Sequence, residues 1–241
     1  MQVEKMNDLS VEANPNIRAL VYGGAGTKKT TLIGSFPKPI WIANFDQKLE
    51  RLYGIEGIDS TTYRPNGPED SSKVFYQFEK DWKAVKKDGK YKTMALDGIT
   101  MWDIIVVRHF IMLSGKAPDD RATLPVYMAQ ADYYSYFFKY GINDILDKNV
   151  IVTAHELYHE DSDSKVVQLC PLITGSKILA KLPGMFKETW HMTKEGGDHG
   201  EVTLWYEEHK RAIANSLILH GSGFIKNPTY ESIMKEVVKG N

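Results

Sequence analysis

The sequence predicts an α/β fold, with a mainly parallel sheet flanked by helices, and three observations predict it. Short β-branched runs alternate along the chain with segments of helical periodicity. The runs are continuously apolar, as strands buried on both faces of a parallel sheet are. The first of them leads straight into the glycine-rich stretch GGAGTKKT and then an apolar helix start, the order strand, loop, helix.

Taken in order, IRALVY (residues 17–22) is the first strand and TTLIGSF opens a helix after the loop. PIWIAN (39–44), YKTMALD (91–97), NVIVTA (149–154), KETWHM (187–192) and EVTLWY (201–206) are the later strands. Between them VFYQFEKDWKAVKK, ITMWDIIVVRHFIML and YMAQADYYSYFFKYGINDILDK carry apolar residues at three- and four-residue spacing and read as helices. GKAPDDRATLP (115–125) and the stretch 158–177 read as loops, where a partner is gripped. Such an order implies a doubly wound layer with ligands at the carboxyl ends of the strands.

The chain has 241 residues, 42% of them hydrophobic and 25% charged. That supports one sizeable core, so residues 17–241 are expected to form one domain behind an N-terminal extension, 1–16. A formal charge of −1 exerts no global pull on nucleic acid, so any such binding needs a local basic surface. Cys170 is the single cysteine, which excludes an intramolecular disulfide and a cysteine-rich metal knuckle and fits a reducing interior. No apolar run approaches the ~18 residues of a membrane span, so a cytoplasmic protein without a membrane partner is expected.

The glycine-rich stretch has almost the spacing of a phosphate-binding loop, G-x-x-x-x-G-K-[ST], with Gly23 first and Lys29-Thr30 last. A triphosphate is held by backbone N–H groups, by a helix N-terminus and by a lysine. Gly23, Gly24, Ala25, Gly26, Thr27, Lys28, Lys29, Thr30 and Thr31 would form that cradle, Lys29 supplying charge and Thr30 a hydroxyl for Mg²⁺. The motif departs at Lys28, which stands where the second glycine belongs. ALD places Asp97 at the end of another strand, suited to the magnesium shell. Asp46, just beyond the second strand, is the candidate for orienting an attacking water; the alternative is a cap for a helix begun at Gln47.

The series LVYGGAGTKKTTLIGSFPKPIWIANFD, YKTMALDGIT, VIVTAHE, LITGSKILAKLPGMF and HKRAIAN resembles the phage-encoded RecA-like nucleotide-binding proteins of the single-strand annealing (Sak-type) family. The resemblance covers nearly everything after residue 16. It implies a RecA-like P-loop NTPase core that binds ATP and Mg²⁺, acts in phage DNA recombination or replication, and works as a homo-oligomer in the host cytoplasm. Single-stranded DNA is the implied partner, with a phage or host single-strand-binding protein as another. By position, Gly23 to Thr30 match Walker A, Asp97 matches Walker B and Asp46 the catalytic carboxylate, commonly glutamate in RecA itself. His155 and Glu156 fall at the polar sensor, and Lys210 and Arg211 at basic residues that reach a neighbouring subunit's phosphates. Lys165, Lys177 and Lys181 fall where the family's core touches single strands. Lys28, at a positive-φ glycine position, and Asp46, one methylene short, both point to slow hydrolysis. The alternative from another class is a nucleotide-binding assembly module without turnover.

HELYH (155–159) also satisfies H-E-x-x-H, the zinc-peptidase pattern, which needs both histidines on one helical face and Glu156 as general base. Here it follows a β-branched run and precedes a polar turn, and a strand end sends His155 and His159 in unrelated directions. The lysines of KAVKKDGKYK (83–92) read as a solvated helix face, with DNA contact the alternative. DYYSYFFKY reads as core by its helical spacing, with base stacking the alternative.

Overall fold

The computed structural model describes residues 16–160, 165–197 and 200–239, so the expected extension lies outside the described residues apart from Asn16. In chain order the strands are β1 (Arg18–Gly23), β2 (Ile40–Asn44), β3 (Ile58–Thr62), β4 (Thr93–Asp97) and β5 (Asn149–Ala154). They continue as β6 (Glu156–Glu160), β7 (Val167–Pro171), β8 (Glu188–Glu195), β9 (Glu201–Trp205) and β10 (Phe224–Lys226). Eight of them form one sheet in the order β10-β9-β8-β1-β5-β4-β2-β3, and β6 pairs with β7 in a separate hairpin. Every neighbouring pair from β8 to β3 is parallel, and β9 and β10 add antiparallel strands at one edge. The expected fold class, α/β with a mainly parallel sheet flanked by helices, is the fold observed.

The helices are α1 (Lys29–Gly34), α2 (Ser71–Lys87), α3 (Ile99–Leu113), α4 (Leu124–Tyr136), α5 (Ser176–Lys181) and α6 (Tyr230–Lys239). Strand alternation sorts the core into two layers. Leu20, Tyr22, Met94, Leu96, Val150 and Val152 face an aromatic-rich cluster under α2, α3 and α4. Their sequence neighbours Ala19, Val21, Ala95 and Ile151 face the opposite cluster, with Leu32 and Ile33 of α1 and Ile233 and Val237 of α6. A sheet covered on both faces requires apolar residues at every strand position, which is why the strands read as unbroken runs.

The structure corrects three local expectations. Much of the stretch expected as a loop, 158–177, is regular structure: β6 and β7 pair in register, from Glu156 opposite Pro171 to Glu160 opposite Val167, and α5 begins at Ser176. Backbone pairing and the Tyr22 hydroxyl organise the hairpin, the latter donating to the carbonyls of Leu169 (3.0 Å) and Ile213 (2.7 Å). The helix expected through residue 148 ends as α4 at Tyr136 and continues as a π-helical segment, Phe137–Asn143. There the Trp82 indole donates to the Gly141 carbonyl (2.9 Å) and the Lys86 ammonium to the Tyr140 carbonyl, so α2 takes up acceptors along the widened turns. At its other end α4 starts at Leu124 with Pro125 in its first turn, inside the expected loop, because proline suits that position.

Candidate nucleotide-binding site

Parallel pairing carries the candidate residues to one level. Asn44 of β2 lies beside Asp97 of β4, Leu96 of β4 beside Val152 of β5, and Ala154 of β5 beside Tyr22 of β1. Residues just past these strand ends therefore converge on one edge of the sheet. A cleft of about 260 Å³ opens there, lined by loop residues 25–31 and by Asp46, Asp97 and His155.

The loop leaves β1 at Gly23, where a Cβ would come within 2.2 Å of the Met192 carbonyl oxygen of β8. Only glycine allows that approach. Lys28 adopts the left-handed conformation, φ 64° and ψ 28°, at the start of α1. The position where the phosphate-loop motif has glycine keeps a glycine-like backbone, so the lysine bears a steric cost of roughly 1 kcal/mol or more. Lys29 is buried, and its ammonium donates to the carbonyls of Gly23 (2.7 Å) and Gly24 (2.9 Å) and to Thr27 Oγ1 (3.2 Å). Burial lowers its pKa, while the charges of Asp46, Asp97 and Glu156 oppose that shift.

Asp97 is 1% exposed at the end of β4. The Thr30 hydroxyl donates to Oδ2 (2.8 Å) and the Thr153 hydroxyl to Oδ1 (2.6 Å). Thr153 Oγ1 itself accepts the Gly98 N–H (2.9 Å), which leaves its proton for Asp97. Burial raises the Asp97 pKa, and the two hydroxyl donors counter that. Thr30 and Asp97 offer hard oxygen donors beside a lysine, a set that fits Mg²⁺ accompanying a phosphate.

Asp46 follows β2, and its Oδ2 lies 3.3 Å from His155 Nε2. It does not cap a helix at Gln47, since none begins there: Gln47 sits at φ 56°, and the next helical turn is Glu50–Leu52, capped by Leu49. Its seat depends on Gly98, at φ 99°, where a Cβ would meet Asp46 Oδ1 at 2.3 Å. Glu156 parts from His155. Its Oε2 lies 2.9 Å from His191 Nε2, and its Oε1 sits against Gly24, so it supports the loop from the side of β8 rather than lining the cleft.

The remaining basic candidates do not line this cleft. Lys165 pairs with Glu160 at 3.7 Å and Lys210 with Glu195 at 3.8 Å, and both are exposed, as are Lys181 and Arg211. Lys177 lies on α5 by its backbone, but its side chain is outside the described residues. Sequence reasoning missed Lys48, Glu50 and Arg51, which line the cleft from a polar stretch with no motif, and Thr153, whose signal was its place two residues before His155. The peptidase alternative fails on geometry: residues 156–160 are strand, and no group of three or more His, Cys, Asp or Glu among the described residues is placed to hold a metal. Among the described residues, no helix is long and apolar enough to cross a membrane.

A family model described as an AAA domain matches residues 15–216. No curated protein matches the chain. Among solved structures, a prototypical ATPase from the type III secretion system of pathogenic bacteria is 15% identical, with a TM-score of 0.44 over 75% of this chain and 53% of its own. The assembled ATPase EscN, in complex with its central stalk EscO from the enteropathogenic E. coli type III secretion system, is 14% identical, with a TM-score of 0.48 over 76% of this chain and 43% of its own. The chain thus spans about half the length of these two structures.

Proposed function

Because the chain belongs to the AAA-domain family and has its P-loop ATPase fold, we propose that it binds ATP with Mg²⁺ at the glycine loop and hydrolyses it slowly, in phage DNA recombination or single-strand annealing. One observation carries the nucleotide reading: a single cleft joins the loop and its lysine to the Thr30–Asp97 pair and to Asp46 with His155. Residues 23–31 wrap the phosphates, and Lys29 exchanges its loop acceptors for phosphate oxygens. The groove beside α1, lined by Thr31, Leu32, Met192, Val202 and Pro228, takes the base. Thr30 and Asp97 would hold Mg²⁺, which when bound neutralises charge on the phosphate oxygens. Asp46 orients the attacking water, and His155, beside it, senses the outer phosphate.

The strained Lys28 and the short reach of Asp46 support slow turnover. They equally suit an assembly module that binds nucleotide without hydrolysing it. Single-stranded DNA is assigned to the region from the β6–β7 hairpin to α5, through Lys165, Lys177 and Lys181. His155 stands at the foot of this hairpin, where the Leu172 N–H donates to its carbonyl (2.7 Å), so nucleotide and DNA are expected to bias one another's binding. Lys210 and Arg211, exposed and away from the cleft, suit a reach toward a neighbouring copy.

Titration calorimetry tests the central claim. Lys29→Ala should weaken Mg-ATP binding by at least tenfold, the scale of a lost charge-assisted contact. Equal affinity in both proteins would remove the nucleotide site from this loop. Single-turnover phosphate release then separates slow hydrolysis from none.

A further inference from the structure

The fold brings together two stretches that separately read as a solvated face and as core. Helix α2 ends at Lys87 shortly before β4 begins at Thr93, and the π-helical segment ends at Asn143 shortly before β5 begins at Asn149. Both therefore lie toward the amino-terminal edge of the sheet, opposite the glycine loop. A groove of about 380 Å³ runs between them, joined at its floor by the Trp82–Gly141 hydrogen bond.

Lys83, Lys86 and Lys87 line one wall. Tyr136 and Tyr140 line the other, 65% and 42% exposed, with ring centroids 4.9 Å apart. Lys139 adds a fourth ammonium, 4.8 Å above the Tyr140 ring. The acids facing the groove are Glu79 and Asp144, with Asp147 close enough to feel the charge of Lys86. Glu79 is already engaged by the Tyr133 hydroxyl (2.6 Å) and by Lys83 (3.0 Å), and Asp147 by Lys148. The balance is positive.

Ammonium groups alone suit any anion. Ammonium groups around exposed tyrosine faces suit an anionic chain that also presents flat bases, which a duplex keeps stacked inside and an acidic peptide lacks. We propose that this groove binds single-stranded nucleic acid, its lysines taking phosphates and Tyr136 and Tyr140 stacking on bases. The site is independent of bound ATP and of the hairpin assignment, and does not rest on the proposed function.

Fluorescence anisotropy with a labelled oligothymidylate tests this on the full chain without ATP. Tyr136→Ala should weaken binding about 5- to 150-fold, the range of one lost base stack, and Tyr136→Phe should restore it. Changing Lys83, Lys87 and Lys139 to alanine should reduce the slope of log affinity against log salt by about 0.7 per lysine. An abasic oligomer of the same length, which loses the stacks on both tyrosines, should bind the natural protein at least as weakly as oligothymidylate binds Tyr136→Ala. Tyr136 is exposed, so its variants should retain the native circular dichroism spectrum. The groove also remains testable in a protein carrying Lys165→Ala, Lys177→Ala and Lys181→Ala, where the Tyr136 effect should persist. Unchanged affinity and salt slope would overturn the proposal. So would equal binding of the abasic oligomer, or of a polyglutamate peptide that displaces oligothymidylate, which would make the groove a site for an acidic partner.

Discussion

Lys28 concentrates the difference between this loop and a regular phosphate loop. Its left-handed backbone is one that glycine adopts freely and a lysine adopts against the contact between its Cβ and the carbonyl oxygen. Lys28→Gly should therefore stabilise the fold by about 0.5–1 kcal/mol, less the added entropy of the unfolded chain, as read from denaturant midpoints. If strain is what slows the chemistry, the same change should raise the rate of phosphate release. Faster release without change in ATP affinity would place the effect in the transition state. Slower release would mean that the Lys28 side chain itself meets a phosphate. Gly98 is the complementary case: its missing Cβ is what lets Asp46 sit beside Asp97 and His155.

At the scale of an element, α3 couples the site to the aromatic layer. Thr100 in its first turn accepts the His155 N–H (3.0 Å) and donates to the Leu172 carbonyl (2.8 Å), tying the helix to the foot of the hairpin. One turn on, Asp103 accepts from Gln130 and Tyr134 of α4 and from the Thr174 N–H, which locks α4 and the approach to α5 against α3. Toward its other end His109 stacks on Phe75 at 4.0 Å, with Nδ1 2.9 Å from Ser72 Oγ. Burial lowers the His109 pKa, so the folded protein keeps this ring neutral where the unfolded chain protonates it. The unfolded state then binds more protons below about pH 6.5, and stability falls as pH drops through that value toward the lowered one. His109→Phe retains the stack without the titration. Its unfolding free energy should depend less on pH than that of the natural protein as pH falls below about 6.5.

The fold places its two candidate surfaces at opposite ends of the parallel part of one sheet. Parallel strands direct all their carboxyl ends to one edge, so the loop after β1, Asp46 after β2, Asp97 on β4 and His155 after β5 share a cleft despite their separation in sequence. The hairpin and the segment 209–213 rise at the same edge, linked by the pairing of Leu169 with Ala212 and by the Tyr22 hydroxyl. Lys210 and Arg211 are displayed there, both at positive φ, on a tight turn. If they complete a neighbour's site, light scattering should show assembly that depends on ATP. Lys210→Ala with Arg211→Ala should reduce phosphate release at least tenfold while leaving ATP affinity within about twofold. Full turnover by a monomer would exclude that role.

Fold class and the core of the cleft were legible because they rest on local rules. A strand buried on both faces must be apolar throughout, and a phosphate loop must place glycines and a lysine at fixed spacing, so β1, β2, β4 and β5 and the residues Lys29, Thr30 and Asp97 stand out in the chain itself. The hairpin, the partners of Glu156 and the groove at the far edge were not legible, because each depends on contacts between residues far apart in sequence. Glu156 follows His155 by one position, and alternation along an extended chain turns it toward His191 and Gly24. Lys86 and Tyr140 are ordinary helix-surface residues until the π-helical turn sets a carbonyl against an ammonium and opens a basic, aromatic groove between them. Local pattern determined which residues are buried and which end of the sheet carries the candidate cleft; only the packing of α2 against the π-helical segment decided that lysines and tyrosines of two separate stretches share one surface.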